Sequence, residues 1–344
     1  TYRIVRAIPQ LDPQRLAGNA LHPEEVSVGR ELSVVRGGGG GGGGNQPPAV
    51  AVCDSPGTAP AGNFDILDPG GLATAKKTLE YVFDITSVQT LTYSLGRSWL
   101  IDFPPPVASN AVVQCQDGGS GTFTRSDPDG VATNVTVNET VQVTFNNCKN
   151  ESTTLNGGLT ISVKNVSGNP KAARPWNVEM CVALVNLTTG NSEVGNGNVS
   201  LTIDAAPTGS NFTGLVSGPS LKLTTSQTSR ELQGFRLNYV EAELDPNTLL
   251  PVDGQPYALN GTGAVKVTDP VQGAANGTVN FAIGPDITGT NPNVPGAGTV
   301  RVNGTASSSA TLVVQDTSFV NIDVGSDGSF EGPPVPWSEL GVGP

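Results

Sequence analysis

The chain has 344 residues, a net charge of −12, 44 glycines, 27 prolines, and only 14% charged and 5% aromatic side chains. Gly and Pro are the poorest helix formers, which excludes a helical protein, while a 36% hydrophobic fraction supplies a core and excludes wholesale disorder. Acidity without any Lys/Arg cluster argues against nucleic acid or an anionic membrane as partner, and no run of about 18 apolar residues is present to span a bilayer.

Residues 1–36 carry two stretches with strand periodicity. Tyr2, Ile4 and Ile8 share one face of the first; Val26, Val28, Leu32 and Val34 share one face of the second. Pro9, Pro13 and Pro23 punctuate the span, and neither stretch has a hairpin partner or would be stable alone. Eight glycines follow: Gly37, Gly38, Gly39, Gly40, Gly41, Gly42, Gly43 and Gly44. A phosphate cradle needs a following helix and a lysine or a defined glycine fingerprint. Here Pro47 and Pro48 block the helix and no lysine precedes Lys76, so the run reads as a hinge. Fully extended, it spans at most about 29 Å. The first residue is Thr1 with no visible signal peptide, as expected of a processed mature chain.

After a Pro/Gly-rich stretch, Gly71–Phe83 is the one expected helix, with Leu72, Ala75, Leu79 and Val82 at helical spacing behind Asp68-Pro69 and strand as the alternative for its second half. Strand-like pieces then recur about every ten residues: Thr90–Leu95, Trp99–Phe103, Ala111–Cys115, Gly121–Arg125, Asn134–Val137, Val141–Asn146, Gly158–Val163, Val178–Val185 and Asn198–Ile203. Beyond the Pro/Gly/Ser-rich break at Ala205–Asn211 come Ser220–Thr224, Gly234–Leu244, Gly263–Thr268, Gly277–Ile283, Gly298–Asn303, Ala310–Val314 and Ser318–Val324. Short strands separated by turn signals predict an all-β protein of one or two β-sandwich domains, immunoglobulin-like or jelly-roll-like, with at most one short helix. The expected divisions are an extended segment at 1–36, a hinge at 37–48, a disulfide-bearing unit at 49–204 and a cysteine-free unit, or second half of the same sandwich, at 205–344.

Cys53, Cys115, Cys148 and Cys181 include no CxxC pair, and His22 is the sole histidine, which leaves too few ligands for a usual zinc site. The even count reads as two disulfides formed in an oxidising compartment, hence a secreted or extracellular protein. The segment from Cys115 to Cys148 resembles a self-contained hairpin, which favours Cys115–Cys148 with Cys53–Cys181 over Cys53–Cys115 with Cys148–Cys181. Asn-x-Ser/Thr sequons begin at Asn134, Asn138, Asn150, Asn165, Asn186, Asn198, Asn211, Asn260, Asn276 and Asn303. In a glycosylating source they mark solvent-facing positions; otherwise they are Asn/Thr-rich strand ends and turns.

Catalytic inventory is thin. Nucleophilic hydrolysis needs a histidine beside the nucleophile, and His22 lies in the leading segment with no G-x-S-x-G elbow anywhere. Two carboxylates would suffice for a glycosidase, but Trp99, Trp176 and Trp337 are the only tryptophans available as sugar platforms. Asp127-Pro-Asp-Gly130 and the stretch Asp323 to Glu331 hold acidic groups that calcium could use, yet neither has EF-hand spacing and both are ordinary turn sequences. No enzymatic role, cofactor or metal is expected.

The N-terminal alternating segment, the glycine hinge and a disulfide-bearing Thr/Asn/Gly/Val-rich β-domain together resemble pilus-like subunits of extracellular filaments built by donor-strand exchange. That resemblance implies that Tyr2, Ile4, Ile8, Val26, Val28, Leu32 and Val34 form a subunit interface and that the partners are copies of the same chain. Donor strands of that group are short, whereas this segment has thirty-six residues with internal prolines. Separately, "VTVNETVQVTFNNCKNESTTLNGGLTISV" and "NIDVGSDGSFEGPPVPWSEL" resemble uncharacterised β-rich surface proteins and lipoproteins of Gram-negative bacteria. The expected function is a structural subunit of an extracellular filament, sheath or matrix. The alternative is a monomeric surface-anchored binding module or adhesin, with glycans as partners and the glycines as a stalk.

Overall fold

The computed structural model describes residues 51–342 apart from 68–70, 84, 86–95, 97–99, 101–110, 116, 127, 130–133, 151–152, 171–173, 190–192, 209–211, 225–227, 241–253, 269–275, 291–293, 306–307 and 341. The expected strands in 1–36, the Gly37–Gly44 hinge, the expected strand Thr90–Leu95 and most of Trp99–Phe103 lie outside the described residues.

The chain is all-β, an open antiparallel sheet in which every strand pairs with its neighbours in sequence. The strands are β1 (Ala111–Gln114), β2 (Ser120–Ser126), β3 (Thr140–Asn150), β4 (Thr153–Ser167), β5 (Trp176–Thr189), β6 (Glu193–Ala205) and β7 (Thr213–Thr224). They continue with β8 (Ser229–Val240), β9 (Pro256–Thr268), β10 (Gly277–Thr290), β11 (Thr299–Asn303), β12 (Ser309–Val314), β13 (Phe319–Val324) and β14 (Val335–Pro336). No Greek-key crossover occurs among the described strands, and β6 pairs with β7 across the Ala205 break. A helix, α1, covers residues 72–83, as the spacing of Leu72, Ala75, Leu79 and Val82 predicts. Among the described residues beyond it Ile85, Gly96 and Leu100 are helical too, so Leu100 is not in the strand expected at Trp99–Phe103.

Period-two alternation sets the faces. Val300 and Val302 on β11, Ala310 and Leu312 on β12, and Val320 and Ile322 on β13 are all buried on one side. The same side carries Val279, Phe281 and Ile283 of β10 and Leu201 and Ile203 of β6. We call this the inner face; α1 covers its β9–β10 region, with Thr78 and Tyr81 against Val265, Val267 and Val279. The C-terminal residues close the core, since Trp337 meets Phe83 edge-on at 5.9 Å and Lys76 pairs with Glu339 at 2.7 Å.

Many strands are longer than the sequence predicts. Glycines taken as boundaries lie inside strands, as Gly195 and Gly197 do in β6 and Gly234 in β8. The expected strand Asn134–Val137 is instead a loop and turn. Asn138 takes φ 68°, which ends extended structure there. The Glu139 carboxylate then accepts the Thr136 N–H that a strand would have used.

A strap formed by residues 51–66 crosses the outer face of the sheet. The Ala51 N–H donates to Ser162 Oγ of β4 at 2.8 Å, Cys53 is disulfide-bonded to Cys181 of β5, and Asn198 Nδ2 of β6 donates to the Val52 carbonyl at 3.1 Å. Farther on, Asn280 Nδ2 of β10 donates to the Pro60 carbonyl, and Asn63 and Thr278 exchange bonds at 2.7 and 2.9 Å. The strap then rounds the sheet end, where Thr305 N–H donates to the Phe64 carbonyl and Ile66 N–H to Ser308 Oγ. Beyond that corner Ile66 is fully buried and α1 lies on the inner face. One segment thus covers part of both faces.

Bulges lie under the strap. The β6–β7 register shifts between Asn198 and Ser200, and the β8–β9 register shifts between Gln233 and Arg236. At the second, Gly234 takes φ 51°, and a Cβ there would lie 2.5 Å from the Ala59 nitrogen. Only glycine meets both demands. Gly234→Ala therefore costs about 2–4 kcal/mol from backbone strain and crowding, read as a lower denaturant midpoint.

Burial pushes the Tyr257 phenol up from its usual 10.0. The folded chain holds this proton where the unfolded chain loses it, so the contribution is complete below about pH 10 and declines above it. Urea midpoints should fall between pH 9 and pH 11, and Tyr257→Phe should flatten that fall.

Candidate functional site

Three features of the described residues bear on function: a buried ion pair, an acidic loop and a polar groove. The ion pair joins Arg125 of β2 to Glu139, which precedes β3. Arg125 Nε donates to Glu139 Oε1 at 2.6 Å and Nη2 approaches the same oxygen at 2.5 Å. Their side chains are 4% and 0% exposed. Glu139 Oε2 also accepts the Thr136 N–H, and the Glu139 N–H donates to the Thr136 carbonyl, so the pair fixes the turn that replaced the expected strand. It is a structural feature of the β2–β3 corner.

The acidic loop after β13 brings Asp323, Asp327 and Glu331 together, with one carboxylate oxygen of each within 4.8 Å of the others. These carboxylates also organise the turn. Asp323 accepts the Asp327 and Gly328 N–H groups, Asp327 accepts that of Ser329, and Glu331 accepts that of Val324. Backbone caps of this kind are what Asp does in turns, which accounts for the cluster without a cation. Of Asp127-Pro-Asp-Gly130, only Pro128 and Asp129 are among the described residues, and Asp129 accepts a bond from Asn134 at 3.5 Å.

The groove lies on the outer face at the opposite end of the strands from the strap's corner. Asp204 of β6, Leu215 of β7, Asn238 of β8, Asn260 of β9 and Asp286 of β10 line a volume of about 240 Å³. It is four residues along β8 from the strap contact at Gly234, or about 13 Å. A chain of side-chain bonds runs along it: Asn238 Nδ2 donates to Asn260 Oδ1 at 2.8 Å, and Asn260 Nδ2 donates to Asp286 Oδ1 at 2.9 Å. At the other end Asn177 Nδ2 of β5 approaches Asp204 Oδ1 at 3.4 Å.

Among the sequons, Asn138, Asn165, Asn186 and Asn276 are exposed. Asn134, Asn198, Asn260 and Asn303 are half-buried. Asn134 and Asn303 accept bonds from Asn169 and Arg301. The amides of Asn198 and Asn260 donate to the strap and to Asp286 respectively. The Asn150 side chain and Asn211 lie outside the described residues. The disulfides join Cys53 to Cys181 and Cys115 to Cys148. Among the described residues no helix is long and apolar enough to cross a membrane.

No protein-family model matches the sequence, and no curated protein or solved structure is significantly similar to it. The ion pair, the groove and the strap were all missed by sequence reasoning. The available signal for the groove was Gly284-Pro285 inside a β-rich stretch, a combination that marks bulges.

Removing one partner of the buried ion pair leaves an uncompensated charge. Arg125→Met alone should destabilise by about 3–5 kcal/mol, while Arg125→Met with Glu139→Leu should recover much of it. Paired denaturation curves check this.

Proposed function

We propose that the protein is a secreted structural subunit of an extracellular filament, sheath or matrix, joined to copies of itself by its N-terminal strand. The observation that supports this reading is the difference between the sheet's two edges. β14 is two residues long, contains Pro336, which lacks an N–H, and runs straight into the turn Trp337–Leu340. Such an edge is blunted against further pairing. β1 is four residues long and pairs only with β2 among the described residues. β2 continues past it through Thr124–Ser126, and Val112 of β1 is 48% exposed. A strand added here would gain main-chain hydrogen bonds, with alternate side chains such as Val26, Val28, Leu32 and Val34 supplying specificity.

The position of the strap is compatible with donation. Ala51 sits on β4, three strand spacings or about 14 Å from β1. The residues from 36 to 50 reach about 50 Å when extended. Donation to the chain's own edge is within that length, and head-to-tail donation to a neighbour would build a fibre unless the rotation closes. Two disulfides support an extracellular setting. The second reading, a monomeric binding module carried on a glycine stalk, draws its support from the outer-face groove.

The test compares the full chain with a variant lacking residues 1–36, by light scattering and negative-stain microscopy. The full chain should polymerise and the truncated chain should stay monomeric. Identical behaviour of the two overturns the proposal.

A further inference from the structure

The geometry points to the outer-face groove as a binding site for a neutral sugar ring. This inference is independent of assembly through the N-terminal strand. The groove is built by a local device. Between Ile283 and Ile287 the β9–β10 register shifts, so that three residues of β10, Gly284 to Asp286, oppose the single residue Asn260. Thr299 Oγ1 of β11 donates to the Gly284 carbonyl and ties the bulge down from the other side. Bulges of this kind re-aim side chains and cluster at functional sites. Here the bulge sets Asp286 where it accepts the Asn260 amide at 2.9 Å.

The chemistry of the lining selects the ligand class. Asn260 uses its carbonyl for Asn238 and one N–H for Asp286. The second carboxylate oxygens of Asp204 and Asp286 and the Asn238 carbonyl then serve as acceptors, with the remaining amide N–H groups as donors. Mixed donors and acceptors held in a fixed row suit adjacent hydroxyls, which both donate and accept. Leu215, Val240 and Ala258 add apolar surface for the C–H face of a ring. Two carboxylates with no Lys or Arg among the described lining residues disfavour phosphates and acidic sugars. The volume of about 240 Å³ lies below the usual range for drug-sized ligands and suits a single ring. The aromatic residue in the described lining, Tyr239, packs against the core rather than standing as a platform, so affinity should be weak, with Kd about 1 mM.

The experiment is saturation-transfer NMR on the full chain with glucose, galactose, mannose and N-acetylglucosamine, and with glucuronate and putrescine as charged comparators. At least one neutral sugar should give transfer, and Asp286→Ala or Asn238→Ala should weaken it about tenfold. Ala258→Trp, which fills the groove and leaves the Asn–Asp chain in place, should abolish it, with thermal unfolding followed for each variant. Lack of transfer from all four neutral sugars, transfer unchanged by Ala258→Trp, or preference for glucuronate or putrescine overturns the inference. A glycan found attached to Asn260 in the secreted protein would do the same, because it would occupy the groove.

Discussion

The strap across the outer face is the constraint on which the rest of the structure depends. A meander of hairpins pairs each strand with its sequence neighbours and contains nothing that fixes its curvature or the position of a covering layer. Residues 51–66 provide both. They bond to β4, β5, β6 and β10 from one side, turn around the sheet end at Phe64 and Thr305, and deliver α1 to the other. In the chain-entropy model the Cys53–Cys181 bond, closing 128 residues, contributes about 4–5 kcal/mol. Releasing it would loosen the strap where it begins.

The two faces have divided their labour accordingly. The inner face holds nearly all the large fully buried side chains, and its energy is that of ordinary apolar burial, about 1.5–3 kcal/mol for each large residue. Outer-face contacts are polar and directional: side-chain amides of Asn198 and Asn280 grip strap carbonyls, and Asn238, Asn260 and Asp286 grip one another. This explains a composition rich in Asn and Thr yet poor in charge. Amides and hydroxyls on a strand face can bond across strands or to a crossing backbone at little desolvation cost, which Lys and Glu cannot do.

How much of this was legible in the sequence depends on the range of the interactions. The C-terminal hairpins were readable because they are local and regular: the expected Gly298–Asn303 and Ala310–Val314 correspond to β11 and β12 within a residue. Strand lengths in the middle were not, because Gly197 and Gly234 read as breaks, whereas Gly197 is paired on both sides within β6 and Gly234 is a bulge position in continuous β8. The expected strand at Asn134–Val137 failed because a buried carboxylate two residues later, Glu139, captured its backbone. The strap left no periodic trace, since its partners lie 111 to 244 residues away and it is recognised largely through its main chain. The groove was hidden for a related reason. Its polar residues come from successive strands, and Asn260 looked like a sequon before it looked like the centre of a hydrogen-bonded row.

The strap also sets a timetable for biogenesis. Its residues are made before the surfaces that seat it, which run from Ser162 to Ser308. Until β12 exists the strap has no complete resting place, and α1 waits with it. During that interval the Cys53 thiol meets Cys115 before it meets Cys181, so an early oxidation would lock the wrong pair. The correct closure, Cys53–Cys181, needs β5 but none of β6–β14, so one end of the strap can be anchored well before its corner at Phe64 and Ser308 has a seat.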